Sequence, residues 1–389
     1  MRPTRFPQER REAGYPHVWW QNNMTRARKT VYPTKSVSLP ERGGSQTPLR
    51  GAAGVVGMGL MGSSIATCLL AAGHTVAAVE VDPAQLKRAP GRVLSLLEGL
   101  TGEGLLSSNP KKIVKRLTVS ADYSALRECQ IVVECVTEDL NVKKMVIGGI
   151  EKAVSADTII GSNTSAIPPT LLQDGALHPE RILGIHWGEP AHITRFMEII
   201  CGEKSAAVHA ERALALARQW GKEPSLLRKE VRGFITNRVM YAMLREAFHL
   251  VESGVASIAD VDRSLRNDLG YWITLAGPFR FMDLTGIPAY CAVMQDLLPD
   301  LDCSKQVPEL MRRIVESGGQ GTANAKGFYD YTPAQAEEWE RRFLKFSYDI
   351  RALAQKYPEE NESALGRASA RVAAMHKGRK VVRRRRRRG

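Results

Sequence analysis

The run Gly57-Met58-Gly59-Leu60-Met61-Gly62 sits between an apolar pair, Val55-Val56, and a helix-like stretch from Leu60 to Ala72. Beyond it the segment Thr75 to Val79 reads as a second strand and ends in Glu80, eighteen residues past Gly62. The three glycines serve separate geometric ends. Gly57 makes the strand-to-helix turn, Gly59 lets backbone approach a pyrophosphate, and Gly62 allows the helix to pack closely on the strand. The first amides of the helix, including those of Leu60 and Met61, then face the phosphates. A carboxylate at position 80 accepts ribose hydroxyls and repels a 2′-phosphate, so the βαβ unit predicts a dinucleotide site that selects NAD over NADP.

Outward from this unit, strands and helices alternate. Gln130 to Glu134, Asp157 to Gly161, Arg181 to His186 and Phe196 to Cys201 read as strands, and Asp139 to Ala153 as a helix. Such alternation specifies a mostly parallel sheet covered by helices. Residues 83–115 read as a helical insertion broken at Pro90-Gly91 and at Asn109-Pro110, projecting as a hairpin beside the cofactor cleft. Past residue 230 the apolar period becomes helical: Ile235, Val239, Met243, Ala247 and Leu250 form one stripe, Gly254 is placed to cap it, and further helices are expected over 256–269, 309–317 and 333–357. The expected plan is a basic arm over 1–48, a Rossmann-type α/β domain over 49–229, an all-α domain over 230–357 and a basic tail over 358–389.

The net charge of +14 is unevenly distributed: residues 1–50 contribute +7, residues 366–389 contribute +11, and the remainder is −4. A nucleic-acid enzyme carries its basic residues on a folded face. Here only the tail, with Arg383 to Arg388, offers a polyanion site. The uncharged stretch 51–73 contains six glycines, which reads as a buried strand, turn and helix and not as a membrane span. Cys68, Cys129, Cys135, Cys201, Cys291 and Cys303 show no C-x-x-C spacing, so buried reduced thiols, no metal centre and a cytoplasmic location are expected.

Two residues at the carboxyl edge of the sheet carry the chemistry. His186 ends an apolar strand, and Glu198 interrupts the apolar run 196–200. A buried carboxylate needs a donor, and if the two strands are neighbours the imidazole supplies it. A carboxylate on one ring nitrogen fixes the tautomer and leaves the other nitrogen as a base.

Together with the glycine run, SNTSA at 162–166, the H-x-x-x-P at 186–190, GFITNR at 233–238, AGPFRFMDLTG at 276–286 and KGFYDY at 326–331 make the chain resemble the L-3-hydroxyacyl-CoA dehydrogenase family over roughly residues 50–335. The resemblance implies His186 as general base, Glu198 as its orienting partner, and Ser165 and Asn237 as the groups that hold the reacting oxygen. It also implies that Glu138 and Lys143 line the cofactor cleft, and that the chain is a homodimer through its helical domain. The implied reaction is NAD-dependent oxidation of the 3-hydroxyl of a short-chain hydroxyacyl-CoA.

Three departures qualify the substrate. Glu189 stands where the family usually has Asn, Glu103 falls where the inserted helix of the family offers a basic residue to CoA, and the segment 269–278 is similar to the lambda-crystallin and L-gulonate dehydrogenase branch, whose substrates are free hydroxy acids. A free 3-hydroxy acid of the L-gulonate or carnitine type is therefore the alternative substrate, with Trp187, Glu189 and Trp272 as a candidate cage for a cationic end. A non-catalytic binding or structural protein with a polyanion-binding tail is the alternative of another class.

Overall fold

The computed structural model describes residues 51–358; the arm over 1–48 and most of the basic tail lie outside the described residues. The first strand, β1 (Ala52–Val56), runs into the glycine turn and then into α1 (Leu60–Ala71), after which β2 (Val76–Val79) returns parallel to β1. The helix α2 (Pro83–Gly102) follows, then a single turn α3 (Pro110–Ile113), β3 (Leu117–Ser120), β4 (Cys129–Glu134), α4 (Leu140–Ala153), β5 (Ile159–Ser162) and the short α5 (Pro169–Gln173). The sheet is completed by β6 (Ile182–Trp187), β7 (Phe196–Cys201), the helix α6 (Ala207–Gln219) and β8 (Glu223–Leu227).

These eight strands form one sheet in the order β3-β2-β1-β4-β5-β6-β7-β8. Every pairing is parallel except β6 with β7, which is antiparallel. That reversal has a simple cause: residues 188–195 are too few for a crossover helix, so β7 must fold straight back on β6. Side chains alternate across the strands. Ala53, Val55, Ile131 and Val133 pack on α1 and α2, whereas Val132 and Ile160 pack on Ile147 and Ile150 of α4.

The insertion differs from expectation. Pro90 lies inside a continuous α2, and no break occurs at Pro90-Gly91. The lost backbone donor costs about 3 kcal/mol. Burial of Ala89, Val93, Leu97 and Leu100 against the core outweighs it, because large apolar side chains contribute roughly 1.5–3 kcal/mol each. The expected stop at Asn109-Pro110 is instead a start, with the Asn109 side chain accepting from the Lys111 N–H. The insertion is thus one long helix lying along α1 and a single turn, not a projecting hairpin.

After β8 the chain is helical: α7 (Thr236–Glu252), α8 (Ile258–Asn267), α9 (Leu269–Ile273), α10 (Pro278–Thr285), α11 (Ile287–Leu297), α12 (Glu309–Glu316) and α13 (Pro333–Gln355). Gly254, at φ +75°, follows α7 as expected. The helix α13 opens with a Thr332/Gln335 capping box and runs back onto the sheet domain, where Tyr348 joins its core and Lys345 pairs with Glu103 at 2.9 Å. No helix among the described residues is long and apolar enough to cross a membrane. Cys68 and Cys129 are buried, but Cys291 and Cys303 are exposed, which corrects the expectation that all six thiols are buried.

Candidate active site

The cofactor end of the site follows from backbone geometry. Gly57 sits at φ +91°, a conformation that side chains resist. A Cβ built at Gly62 would lie 1.8 Å from the Gly57 carbonyl, whereas one at Gly59 would meet no atom within 4 Å. Gly62 is therefore required for helix-to-strand packing, and Gly59 leaves open space of the kind a pyrophosphate needs. No side chain caps this end of α1, so its amides remain available to an anion. Glu80 stands at the end of β2 with each carboxylate oxygen taking one backbone donor, Met58 N–H at 2.7 Å and Asp82 N–H at 2.9 Å. The residues present thus fit a dinucleotide. Arg92 of α2 was not foreseen: it donates to the Met58 carbonyl at 2.9 Å and braces the glycine loop, a contact between residues 34 positions apart.

At the reacting end, antiparallel pairing sets His186 directly opposite Glu198. The His186 Nδ1 lies 3.0 Å from Glu198 Oε2. Glu198 is buried, and its Oε1 accepts the backbone N–H groups of Ile235 and Thr236, both at 3.0 Å. These begin α7, whose N-cap residue Ile235 has no side-chain cap of its own. One carboxylate therefore orients the imidazole and caps the helix that carries Asn237. Burial pushes the Glu198 carboxyl up, but hydrogen bonds from His186, Thr236 and Ile235 prevail and hold it below the usual carboxylate range.

Two phenyl rings flank the imidazole: Phe196 edge-on with centroids 5.4 Å apart, and Phe234 tilted at 5.7 Å. Phe234 is fully buried and holds φ +53°, an uncommon conformation for a large side chain that the tight turn into α7 imposes. Its residue type alone gives no sign of this role; its place immediately before a helix start was the available clue.

Asn237 Nδ2 donates to the Ser165 carbonyl at 2.9 Å, joining the helical part to the 162–166 segment. Glu138 accepts from the Thr164 hydroxyl at 2.5 Å and from the N–H groups of Ser165 and Ala166 at 2.9 and 3.2 Å. Burial raises the Glu138 carboxyl, but these bonds and Lys143 hold it below its ordinary value. Lys143 is fully buried, with its ammonium on both oxygens of Glu134 and 3.3 Å from Glu138. Its contacts are thus to Glu134 and Glu138, and its full burial keeps it from lining an open surface.

The proposed cationic cage does not form. Trp187 is buried, stacked on Trp220 at 5.4 Å with the Lys222 ammonium 5.1 Å over its ring, while Trp272 stacks on Phe281 at 4.2 Å. Both tryptophans already have partners within the chain, and Glu189 is exposed.

The family model of the 3-hydroxyacyl-CoA dehydrogenase NAD-binding domain matches residues 52–231, and that of the C-terminal domain of the same family matches residues 233–331. The chain is 34% identical over 284 residues to 5-formyl-3-hydroxy-2-methylpyridine 4-carboxylate 5-dehydrogenase of Mesorhizobium japonicum, covering 73% of this chain and 91% of that protein. It is 29% identical to a probable 3-hydroxybutyryl-CoA dehydrogenase of Deinococcus radiodurans, covering 72% of this chain and 99% of the relative. Among solved structures, a 5-formyl-3-hydroxy-2-methylpyridine 4-carboxylic acid 5-dehydrogenase, described as an NAD-dependent dismutase, superposes with a TM-score of 0.73 at 32% identity over 78% of this chain and 98% of its own. The (S)-3-hydroxybutyryl-CoA dehydrogenase of Ralstonia eutropha superposes with a TM-score of 0.61 at 29% identity over 72% and 99%. With both domain models matched in order, a phosphate loop that fits NAD and a histidine–carboxylate pair at the sheet edge, the chain belongs to the 3-hydroxyacyl-CoA dehydrogenase family of NAD-dependent oxidoreductases.

Proposed function

We propose that the chain oxidises the 3-hydroxyl of a short-chain L-3-hydroxyacyl-CoA. The observation that carries this reading is the His186–Glu198 pair, in which the carboxylate engages Nδ1 and leaves Nε2 without a hydrogen bond among the described residues. Glu198 keeps the proton on Nδ1, so Nε2 accepts the hydroxyl proton and returns it in the reverse direction. Ser165 and Asn237 supply the polar groups around the reacting oxygen. NAD, when bound, supplies the hydride acceptor. The flanking Phe196 and Phe234 rings exclude water from the imidazole and hold its plane.

A specific observation favours a second substrate reading. Glu103, at the end of the helix expected to offer CoA a cation, is the C-terminal cap of α2 and is paired with Lys345. Together with the likeness to a pyridine-carboxylate dehydrogenase, this favours a small carboxylate substrate that lacks CoA. The test is NADH formation with 3-hydroxybutyryl-CoA, free 3-hydroxybutyrate, L-gulonate, carnitine and 5-formyl-3-hydroxy-2-methylpyridine 4-carboxylate side by side. Preference for the thioester supports the first reading, and turnover confined to free acids replaces it. His186→Gln is expected to keep NAD binding and lose turnover by about 10²-fold or more; retained turnover removes His186 from the role of base.

The same proposal includes a homodimer. Helices α7, α9, α10, α11 and α12 contain no buried residue, and Tyr271, Phe279, Ile287 and Val293 are among their exposed apolar side chains. On α13, Trp339, Phe343, Phe346, Ile350 and Leu353 recur at alternating four- and three-residue steps, and all but Ile350 are among the large exposed apolar residues. That spacing is a coiled-coil seam, and a second copy covers it.

A further inference from the structure

The connection between β6 and β7 joins the strand of His186 to the strand of Glu198 through residues 188–195. Four successive carbonyls in it are each met by a cation from elsewhere in the chain. Lys222 donates to the carbonyls of Ala191 and Thr194, and Arg351 donates to those of His192, at 3.4 Å, and Ile193. Lys222 is 3% exposed, and neither cation has a carboxylate within ion-pair distance among the described residues. Buried charges are normally paired. Lys222, the buried one, and the partly buried Arg351 are instead given to backbone oxygens.

The loop also reaches the cofactor helix. The His192 N–H donates to Ser64 Oγ of α1 at 3.1 Å, and its ring Nδ1 lies 2.7 Å from the same oxygen. Lys222 comes from the residue before β8, which pairs with β7, so it belongs to the sheet. Arg351 comes from α13, beyond the last residue matched by either domain model. A helix outside the family's two domains therefore grips the turn that holds the reacting pair in register.

We propose that Arg351, acting with Lys222, is a positioning residue for the dehydrogenase reaction: it fixes the 191–194 carbonyls so that His186 and Glu198 keep their mutual geometry against the cofactor helix. This rests on the assignment of His186 as base. Neither cation touches substrate or cofactor; both act through the loop.

The experiment compares the full-length wild-type protein with R351M, R351K, K222M and R341A, the last altering an exposed arginine of the same helix. The readouts are NAD affinity, kcat and KM with the best substrate, and the proton resonance of the His186 Nδ1–H in the bond to Glu198. R351M and K222M are expected to bind NAD within about 2-fold of wild type and to lose kcat by about 10- to 10²-fold, since a misplacement of about 1 Å costs up to 10²-fold. Their KM should move less, and the Nδ1–H resonance should vanish through exchange with solvent. R351K, which keeps the charge but not the length and fixed planar geometry of the guanidinium whose Nη1 reaches both carbonyls, should fall between, and R341A should match wild type. R351M equal to R341A in both kcat and resonance overturns the proposal. So does a fall in kcat that only tracks the unfolded fraction while the resonance stays unchanged. If R351M does not fold, R351K carries the comparison, and an R351K indistinguishable from R341A overturns it. Should the wild type show no His186-dependent turnover with any substrate, the assignment of the base fails, and the resonance alone still decides the clamp.

Discussion

Glu198→Gln tests the chemistry most directly, because the replacement preserves shape while removing the negative charge and changing the donor pattern. In the native arrangement Oε1 receives two backbone N–H groups, from Ile235 and Thr236, while Oε2 faces His186 Nδ1 at 3.0 Å. A glutamine has one oxygen and one NH₂ to place there. With the oxygen kept on the two N–H groups, the NH₂ points at Nδ1, which must then accept, and the ring proton moves to Nε2. The nitrogen meant to act as base is then blocked. The reverse orientation leaves two buried backbone donors unsatisfied, at about 1–3 kcal/mol each, so it is disfavoured by at least ~2 kcal/mol and populated at most about once in 30. The expected loss of kcat is therefore at least ~30-fold, approaching the 10²–10⁴-fold worth of a general base. Steady-state NADH formation measures it, with NAD titration and a thermal melt confirming a folded, cofactor-competent protein. A folded E198Q variant whose kcat lies within about threefold of wild type would refute the assignment of Glu198 as the residue that sets the tautomer.

Three further outcomes are expected. Burial, reinforced by Lys222 and Arg351, lowers the His192 imidazole from 6.5 to about 4, so the unfolded chain takes up a proton between those values that the native state refuses. Stability from this group is complete above pH 6.5 and is lost as pH falls toward 4, by up to about 3 kcal/mol at 1.36 kcal/mol per pH unit; urea midpoints followed from pH 7 to 4 should show a shallower fall in His192→Gln, and equal slopes would contradict the burial argument. Gly59→Ala should keep its melting temperature yet weaken NAD binding, because its Cβ enters open space at the phosphate site, whereas Gly62→Ala should lose about 3 kcal/mol through collision with the Gly57 carbonyl; calorimetry with and without NAD separates the two, and tight NAD binding by G59A would move the pyrophosphate elsewhere. The double variant Phe343→Glu, Phe346→Glu puts two charges on the exposed seam of α13 and should shift the protein from dimer to monomer in sedimentation, while an unaltered sedimentation coefficient would place the contact on another face.

The cofactor unit was legible in the chain because each of its constraints is local. A tight turn, a close helix-to-strand approach and a carboxylate at the end of the next strand are all written within the 24 residues 57–80. Helices such as α7 and α13 were visible for the same reason, since their apolar stripes repeat at helical spacing. Other elements gave no such signal. The strand β8 alternates around Pro224 at the sheet edge, and α6 buries mostly alanines, so neither has a strong period. Pro90 announced a break that burial of the far side of α2 overrode.

At the reacting centre the residue types were readable, but their meeting could be expected only on the condition that the two strands are neighbours. His186 and Glu198 stand twelve positions apart, and only the antiparallel return of β7 makes that spacing a direct pair, since a shift by one residue would turn one of them to the opposite face. The second duty of Glu198, as cap of α7, and the packing of Phe234 on the imidazole arise where the helical part meets the sheet. Arg351 lies more than 150 residues from the carbonyls it holds. Local sequence encodes backbone conformation and periodic burial, whereas contacts between distant residues depend on how strands pair and helices dock, and here that step turned separate side chains into a site.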